Sequence, residues 1–299
     1  MDNPFDKEYI ETCKVELQAH GAGAAAAKIN AYLKELDDIQ LNIAITGETG
    51  SGKSTFVNAF RGIDNMDERA APTGYKETTM DVHSYPHPNF PNVTLWDLPG
   101  IGTTKFPADQ YLQRVGFERF DFFIIVSADR FRENDVMIAK AIRDMKKRFY
   151  FVRSKIDQDI ANTKISQREF NAQKTLADIR NDCIQALEKH HVESPQVFLV
   201  SSFDLQLYDF HLLEETLERE LPEHKRDTLL LALPNFNLGI IKKKKEALQS
   251  KISFRAAPER IAAEKKAVVR SVSERWRLKE ECLKKQFLQP VKRETPSPG

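Results

Sequence analysis

The sequence has few cysteines and no long apolar run. Its three cysteines, Cys13, Cys183 and Cys282, lie far apart and lack the spacing of a metal site. An odd number of distant cysteines does not support a disulfide framework, so a reducing compartment fits best. The longest apolar stretches, residues 122–126 and 229–233, are far too short to cross a membrane. We therefore expect no transmembrane helix.

The N-terminus lacks the features of a targeting segment. Its first ten residues contain no basic start followed by an apolar stretch, so we expect no secretion signal. Asp2 stands where N-myristoylation requires glycine, which excludes that lipid by the usual rule. The sequence thus predicts a protein that is not secreted.

The chain also lacks an overall excess of charge. Its 45 Lys and Arg against 44 Asp and Glu give a net charge of +1, which requires neither nucleic acid nor an anionic membrane as partner. The charge is unevenly distributed, because residues 242–294 hold 17 basic and 7 acidic residues. This basic region could contact anionic lipid, and the alternative is a solvated helix face. We expect no nucleic-acid partner.

What the sequence does contain is an alternation of short apolar runs with longer helical stretches between residues 41 and 200. Before this part, residues 9–36 have apolar residues at spacings near three and four, interrupted by Gly21 and Gly23, and predict two helices. The alternation predicts an α/β fold with a mostly parallel sheet covered on both faces by helices. The strand candidates are LNIAIT, VTLWD, DFFIIVSA, FYFVRS and QVFLVSS.

These patterns divide the chain into three parts. We predict an N-terminal helical segment over residues 1–40, an α/β domain over residues 41–222 and a C-terminal helical extension over residues 223–299. The extension is rich in Lys and Arg and contains no evident strand. Its tail, from about residue 292, ends in TPSPG and is predicted to be disordered.

A glycine-rich segment, GETGSGKS, follows the first strand candidate. It matches the pattern G-x-x-x-x-G-K-[ST] of a phosphate-binding loop and precedes a helical stretch that we expect to begin near Thr55. Its glycines let the backbone wrap around phosphate oxygens, Lys53 supplies a positive charge, and Ser54 offers a hydroxyl to Mg²⁺. The alternative is a turn that binds nothing, and the loop alone does not separate GTP from ATP. The predicted binding residues are Gly47, Glu48, Thr49, Gly50, Ser51, Gly52, Lys53, Ser54 and Thr55.

The segment WDLPG predicts the metal side of the site. Asp97 ends a strand candidate and should hold Mg²⁺, while the N–H of Gly100, in a D-x-x-G pattern, can contact the γ-phosphate. Taken alone, an Asp before a Pro-Gly turn is more often structural. Here it follows the phosphate loop in the expected order.

The segment SKID resembles the [NT]-K-x-D pattern that recognises guanine. Asp157 can accept hydrogen bonds from the N1–H and 2-amino groups of guanine, which adenine cannot supply, and Lys155 can lie along the base. Ser154 replaces the usual Asn or Thr but keeps the hydroxyl of Thr. A surface Lys and Asp after a strand is the alternative. The loop with Ser201 and Ser202 is expected to cover the base, mainly through its backbone.

The threonine-rich segment PTGYKETTM lies where a nucleotide-dependent loop would supply a second hydroxyl to Mg²⁺. Thr79 is the first candidate and Thr73 the second, with an ordinary polar loop as the alternative. Ras-like enzymes orient the attacking water with a glutamine after D-x-x-G, but this chain has Ile101 there. Intrinsic hydrolysis should therefore be slow, so that Glu77 or another molecule has to complete the site. The predicted catalytic residues are Glu77, Lys53 and Thr79, and the predicted metal ligands are Ser54, Thr79 and Asp97.

Several segments together match one family. They are GETGSGKSTFVNAFRG, APTGYKETTM, WDLPGIG, FPADQYL, DFFIIVSADRF, FYFVRSKID and YDFHLLEETLERELPEHKR. Together they resemble the immunity-related GTPases, the interferon-inducible p47-type IRG family, over residues 28–241. The GKS of the phosphate loop is similar to that of the subgroup with lysine. The region after residue 221 is shorter than the helical domain of that family.

The resemblance implies a Ras-like GTPase domain joined to a helical domain built from both chain ends. It implies GTP/GDP and Mg²⁺ as ligands, dimerisation through the nucleotide face with itself or related GTPases, and self-activated GTP hydrolysis. It also implies action on vacuole membranes that surround intracellular pathogens. By position, Glu77 matches the switch glutamate implicated in hydrolysis in this family, and Thr79 the neighbouring metal-side threonine.

Our leading hypothesis is therefore a GTP-hydrolysing defence protein of the cytoplasm. We expect peripheral association with ER, Golgi or vacuole membranes. The alternative is a non-catalytic GTP-binding regulator of full-length relatives, which Ile101 and the short C-terminal segment both allow. An ATP-dependent P-loop kinase is disfavoured by SKID and by the absence of a recognisable acceptor-substrate domain.

Overall fold

The structure is a computed structural model, and it describes residues 7–74, 81–100, 111–128, 133–192 and 194–255. Its described residues form two compact units. One unit is Glu35–Ala247, and the other contains the described residues 7–34 and 248–255. The tail predicted from about residue 292 lies outside the described residues. The domain boundaries predicted from the sequence stay a prediction.

Six strands form one sheet in the larger unit. In chain order they are β1 Leu41–Thr46, β2 His83–Pro86, β3 Val93–Asp97, β4 Phe122–Ser127, β5 Arg148–Arg153 and β6 Val197–Leu199. The order across the sheet is β2-β3-β1-β4-β5-β6, with β2 antiparallel to β3 and the other four pairings parallel. This mostly parallel sheet confirms the predicted α/β, Ras-like fold class.

Ten α-helices are found in the described part of the chain. They are α1 Lys7–His20, α2 Ala22–Asp37, α3 Lys53–Phe60, α4 Tyr111–Val115, α5 Glu133–Asp144, α6 Ile156–Ser166, α7 Ala172–Lys189, α8 Phe210–Glu220, α9 Glu223–Ala232 and α10 Leu238–Arg255. A 3₁₀ turn spans Phe117–Arg119. The two predicted N-terminal helices are present, and they are separated at Gly21, whose φ of 83° a helix does not adopt.

Alternating strand residues divide the core into two layers. On one face, Leu41, Ile43 and Ile45 of β1 pack in a cluster with residues of α3, α8 and α9. On the other face, Ala44 of β1 belongs to a cluster that includes residues of α4, α5 and α7. Because both faces are covered, β4 reads as a nearly continuous apolar run, and β1 is interrupted only by Asn42 before its final Thr46.

The carboxyl edge of the parallel strands carries the segments singled out in the sequence. Strand β1 lies between β3 and β4, so the chain leaves its carboxyl end next to the ends of both neighbours. In open α/β sheets, ligands bind in the crevice at this kind of strand-order reversal.

Candidate functional site

The glycine-rich loop connects β1 to α3 with three left-handed glycines. Gly47, Gly50 and Gly52 have φ values of 136°, 80° and 92°. A Cβ atom on Gly47 would lie 2.1 Å from the carbonyl oxygen of Val126 in β4, so only glycine fits there. Helix α3 begins at Lys53, two residues before the predicted start near Thr55. Its first turn therefore directs backbone N–H groups into the concave side of the loop.

The side chain of Lys53 curls back over this loop. Its Nζ donates hydrogen bonds to the carbonyl oxygens of Gly47 at 3.2 Å and Glu48 at 2.9 Å. Lys53 is only 6% exposed, so the positive charge is held at the loop instead of in solvent. An anionic ligand in the loop would meet a cation that is already in place.

Ser54 and Asp97 place two oxygen ligands side by side. The Ser54 hydroxyl donates to Oδ2 of Asp97 at 2.6 Å, and Asp97, at the end of β3, is 1% exposed. Gly100 packs closely on the loop, because a Cβ atom there would lie 2.1 Å from Oγ1 of Thr49. A hydroxyl and a carboxylate next to a phosphate loop are the oxygen donors that Mg²⁺ takes together with phosphates. These residues fit the predicted ion.

The SKID segment contacts the glycine-rich loop directly. The Ser154 hydroxyl donates to the carbonyl oxygen of Ser51 at 2.6 Å and lies 3.2 Å from that of Ser127. Nζ of Lys155 donates to the carbonyl oxygen of Gly50 at 2.8 Å, so its side chain extends across to the loop. Side chains of the SKID segment therefore hold the predicted base-binding segment against the predicted phosphate-binding loop.

Asp157 lies in the first turn of α6. Its Oδ1 atom is buried and has no hydrogen-bond partner among the residues that the structure describes. A buried carboxylate oxygen without a donor is costly, which favours a ligand that brings N–H groups. Guanine carries two such groups on one edge, so this carboxylate fits the predicted base.

Most of these side chains line one cavity of about 410 Å³, and Asp97 lies behind Ser54, outside the lining. Its lining includes residues of the loop, the Asp97–Gly100 segment and the SKID segment. Of the predicted residues, those that line it are Thr49, Gly50, Gly52, Lys53, Ser54, Thr55, Gly100, Ser154, Lys155, Asp157 and Ser202. Ser201 is fully buried and does not line it, but its Oγ accepts a hydrogen bond from the Phe203 N–H at 3.3 Å.

Comparison with known proteins identifies the family. The sequence profile of the "Interferon-inducible GTPase (IIGP)" family matches residues 7–284. This chain belongs to the interferon-inducible GTPase family. The match is longer at both ends than residues 28–241, the range predicted from the motifs, so that prediction was too narrow.

The family relatives are similar over most of this chain. Interferon-gamma-inducible GTPase 10 of Mus musculus is 45% identical over 84% of this chain and 61% of its own length. Interferon-inducible GTPase 1 of Mus musculus is 44% identical over 83% of this chain and 60% of its own. The chain thus spans about 60% of the length of these relatives.

A solved structure of Aquifex aeolicus Era bound to GDP.AlF4- is 23% identical to this interferon-inducible GTPase family member. It has a TM-score of 0.40 and covers 60% of this chain and 56% of its own.

Some residues of this family member line the cavity although they were not among the predicted binding residues. They are Asn65, Gly74, Gln158 and Phe203. Two of them, Gly74 and Phe203, lie in segments that were singled out in the sequence. Asn65 is held by Asn58 of α3, whose Nδ2 donates to its Oδ1 at 2.9 Å. Asn58 also exchanges two hydrogen bonds with the backbone of Ala71, so one buried amide organises the chain after α3. Such long-range contacts leave no local motif.

Tyr111 is a further residue at the site that was not among the predicted ones. Its hydroxyl donates to the carbonyl oxygen of Pro99 at 2.9 Å and lies 2.8 Å from Oγ1 of Thr46. It thereby joins the end of β1 to the segment after β3. Burial raises the pKa of Tyr111 far above its ordinary value, so the phenol stays neutral and keeps its proton for these contacts.

Of the three predicted catalytic residues of this family member, the structure describes only Lys53. Glu77, Thr79 and Ile101 lie outside the described residues. Thr73, the second candidate for the additional metal hydroxyl, lines the cavity. Among the described residues there is no group of three or more His, Cys, Asp or Glu side chains that could hold a metal ion by themselves.

Proposed function

We propose that this chain binds GTP and GDP with Mg²⁺ and hydrolyses GTP. The observation that carries the proposal is that Asp157 lines the same cavity as Lys53 and Ser54. A purine nucleotide has a hydrogen-bonding base edge at one end and phosphates at the other, and these side chains match both ends.

Base selection is assigned to Asp157. Its carboxylate accepts hydrogen bonds from N1–H and the 2-amino group, whereas adenine presents no donors on that edge. Because Oδ1 is already buried, a bound base without these donors leaves it unpaired, which costs about 1–3 kcal/mol or more. Lys155 supports the base along its stem, and the backbone near Ser201 and Ser202 covers it.

Phosphate binding is assigned to the loop amides from Gly47 to Thr55 and to Lys53. Ser54 and Asp97 hold Mg²⁺, with Thr79 as a further ligand, and the Gly100 N–H contacts the γ-phosphate. The ion supplies charge neutralisation of the phosphate oxygens. Loop backbone, Lys53 and the helix N-terminus together orient the triphosphate, which is most of what phosphoryl transfer demands from a protein.

Hydrolysis needs a residue that orients the attacking water, and Ile101 cannot do this. We assign that role to Glu77, with Thr79 and Lys53 stabilising the reacting phosphate. The chain acts with itself or with related GTPases through the nucleotide face, so that a second molecule completes the site and activates turnover.

The cellular role proposed is that of an immunity-related GTPase in cell-autonomous defence. It acts in the cytoplasm and on endomembranes or vacuoles that hold pathogens. Peripheral contact is the proposed mode of attachment, with the basic residues 242–294 facing anionic lipid. In the described part of the chain, no helix is long and apolar enough to span a membrane. Family membership supports this proposal.

GTP hydrolysis per molecule, measured at increasing protein concentration, tests the proposal. We expect a specific rate that rises with concentration, no comparable turnover of ATP, and loss of activity in Lys53→Ala. A flat rate near zero with intact GTP binding would favour the non-catalytic regulator of full-length relatives. Equal affinity for GTP and ATP would contradict the assignment of Asp157.

A further inference from the structure

Arg153 is a buried cation directly before the SKID segment. It is the last residue of β5 and is 8% exposed. Its Nη2 donates to Oδ2 of Asp159 at 2.6 Å, and its Nη1 donates to the carbonyl oxygen of Ser154 at 3.1 Å. The Arg153 side chain therefore connects the end of β5 to α6 and passes over Ser154 and Lys155, which link the two elements.

The backbone of Arg153 is fixed by its neighbours in the sheet. Its carbonyl oxygen accepts a hydrogen bond from Val200 N–H at 2.8 Å, and the next N–H, of Ser154, donates to Ser127 at 2.8 Å. The chain then turns sharply at Lys155, whose φ of 57° is left-handed and unfavourable for a residue with a side chain. The Arg153–Asp159 pair spans this turn, with one end anchored in the sheet.

Asp159 and Asp157 point to different sides of α6. Two residues along an α-helix correspond to a rotation of about 200°. In agreement with this, Asp157 lines the proposed nucleotide cavity, whereas Arg153 and Asp159 line a separate cavity of about 810 Å³ bordered by α6 and α7. The ion pair thus has no place in the nucleotide cavity and can act on the nucleotide only through the orientation of α6.

We propose that Arg153 and Asp159 are positioning residues for base selection. Their ion pair fixes the first turn of α6 against the end of β5 and so aims the Asp157 carboxylate at the 2-amino group of guanine. This inference rests on the proposed guanine-nucleotide function. A pair that only stabilised the fold would change the amount of folded protein but not the choice between two bases.

Affinities for GTP and for inosine triphosphate (ITP) distinguish these roles. ITP lacks the 2-amino group and is otherwise the same, so the ratio of the two dissociation constants reports the contact of Asp157 with that group. Isothermal titration calorimetry measures both constants on the full chain. Inorganic tripolyphosphate, which has no base, reports the phosphate half of the site.

Two variants each remove one partner of the Arg153–Asp159 ion pair. In Arg153→Met and in Asp159→Asn, we expect the preference for GTP over ITP to fall about tenfold, the size of one hydrogen bond to a charged group. Tripolyphosphate affinity should stay unchanged. The Asp159 side chain is 30% exposed, so Asp159→Asn should fold even if Arg153→Met does not.

Lys225→Met is the matched control. Lys225 pairs with Asp121, which precedes β4 and so lies at the amino end of that strand, whereas Arg153 lies at the carboxyl end of β5. Its loss should lower stability and leave the GTP to ITP ratio as in the unmodified chain. An unchanged GTP to ITP ratio in Asp159→Asn would overturn the positioning role of the ion pair, even if the variant were less stable. Absence of any preference for GTP over ITP in the unmodified chain would instead overturn the role of Asp157 in base selection, and with it the positioning role of Arg153 and Asp159.

Discussion

At the scale of single residues, two glycines of the phosphate loop differ in what they tolerate. Both Gly47 and Gly50 have positive φ angles, but a Cβ atom on Gly47 would meet the Val126 carbonyl oxygen at 2.1 Å, whereas on Gly50 it would meet nothing within 4 Å. The clash with backbone cannot be relieved by rotating a side chain. Close packing should therefore matter more at Gly47 than backbone strain alone.

Gly47→Ala should destabilise the chain more than Gly50→Ala. We expect a loss of about 1 kcal/mol in free energy of unfolding for Gly50→Ala, from the left-handed conformation alone, and about 3 kcal/mol or more for Gly47→Ala. Urea unfolding without nucleotide measures both. Equal losses would indicate that β1 and β4 move apart to accept the methyl group.

Asp157→Asn should change base preference instead of abolishing binding. The amide no longer accepts two hydrogen bonds from guanine, so GTP affinity should fall by about two orders of magnitude. Xanthosine triphosphate carries a carbonyl in place of the 2-amino group, and the Asn amide can donate to it. Competition between the two nucleotides measures the change. A variant that kept its GTP preference would place base selection at another residue.

The motif residues could be predicted from the sequence because their chemistry is local. A phosphate loop is a short backbone shape, set by glycines, Lys53 and Ser54, and it can be read from eight consecutive letters. Asn58 and Asn65 could not be found this way. Their role depends on contacts between separate parts of the chain. One such contact joins Asn58 to Ala71, 13 positions further on.

At the scale of elements, Tyr111 of α4 connects two strands that carry the predicted phosphate and metal ligands. Its hydroxyl reaches Thr46 of β1 and Pro99 after β3. Tyr111→Phe removes this link and leaves the buried carbonyl oxygen of Pro99 without that donor. We expect a loss of about 1–3 kcal/mol in free energy of unfolding, measured with urea, and weaker GTP binding.

Thr46→Val provides the partner for a double-mutant cycle with Tyr111→Phe. Because the two hydroxyls lie 2.8 Å apart, the double variant should lose less stability than the sum of the single variants. Strict additivity would show that the hydroxyls contribute separately.

Strand prediction succeeded where burial is continuous and failed at the sheet edge. All residues of β4 are buried, so its apolar run identifies it. Strand β2 was missed because HSYP is four residues long, mostly exposed and ends in proline, which is tolerated at an edge. Helix α3 begins two residues before its predicted start because Lys53 and Ser54 belong both to the phosphate-loop motif and to the first helical turn.

At the scale of the whole molecule, His87 reports on the packing of the sheet edge within the larger unit. The His87 residue is 5% exposed, and its backbone N–H donates to the carbonyl oxygen of Val93, at the start of β3, at 2.8 Å. Burial, together with the positive charges of Lys244 and Arg61, lowers the pKa of His87 from 6.5 to about 4. The folded chain therefore keeps this imidazole neutral in mildly acidic solution.

This predicts a loss of stability on acidification. The unfolded chain binds a proton at His87 below pH 6.5 and the folded chain only near pH 4, so stability falls as pH drops through this window and His87 adds nothing further below it. The total contribution is about 3 kcal/mol. Urea unfolding at several pH values should show a shallower loss in His87→Gln. An equally steep loss would assign the pH dependence to other groups.

The hydrogen bonds from Ser154 to Ser51 and from Lys155 to Gly50 have a consequence for the exchange of bound nucleotide. These hydrogen bonds hold the SKID segment and the phosphate loop in one fixed arrangement. Guanosine bound at one end and pyrophosphate bound at the other would therefore each favour binding of the other. GDP would accordingly leave slowly, because neither of its ends loosens alone. A partner protein that pulled residues 154–155 away from residues 50–51 would release both ends at once and act as an exchange factor without entering the cavity.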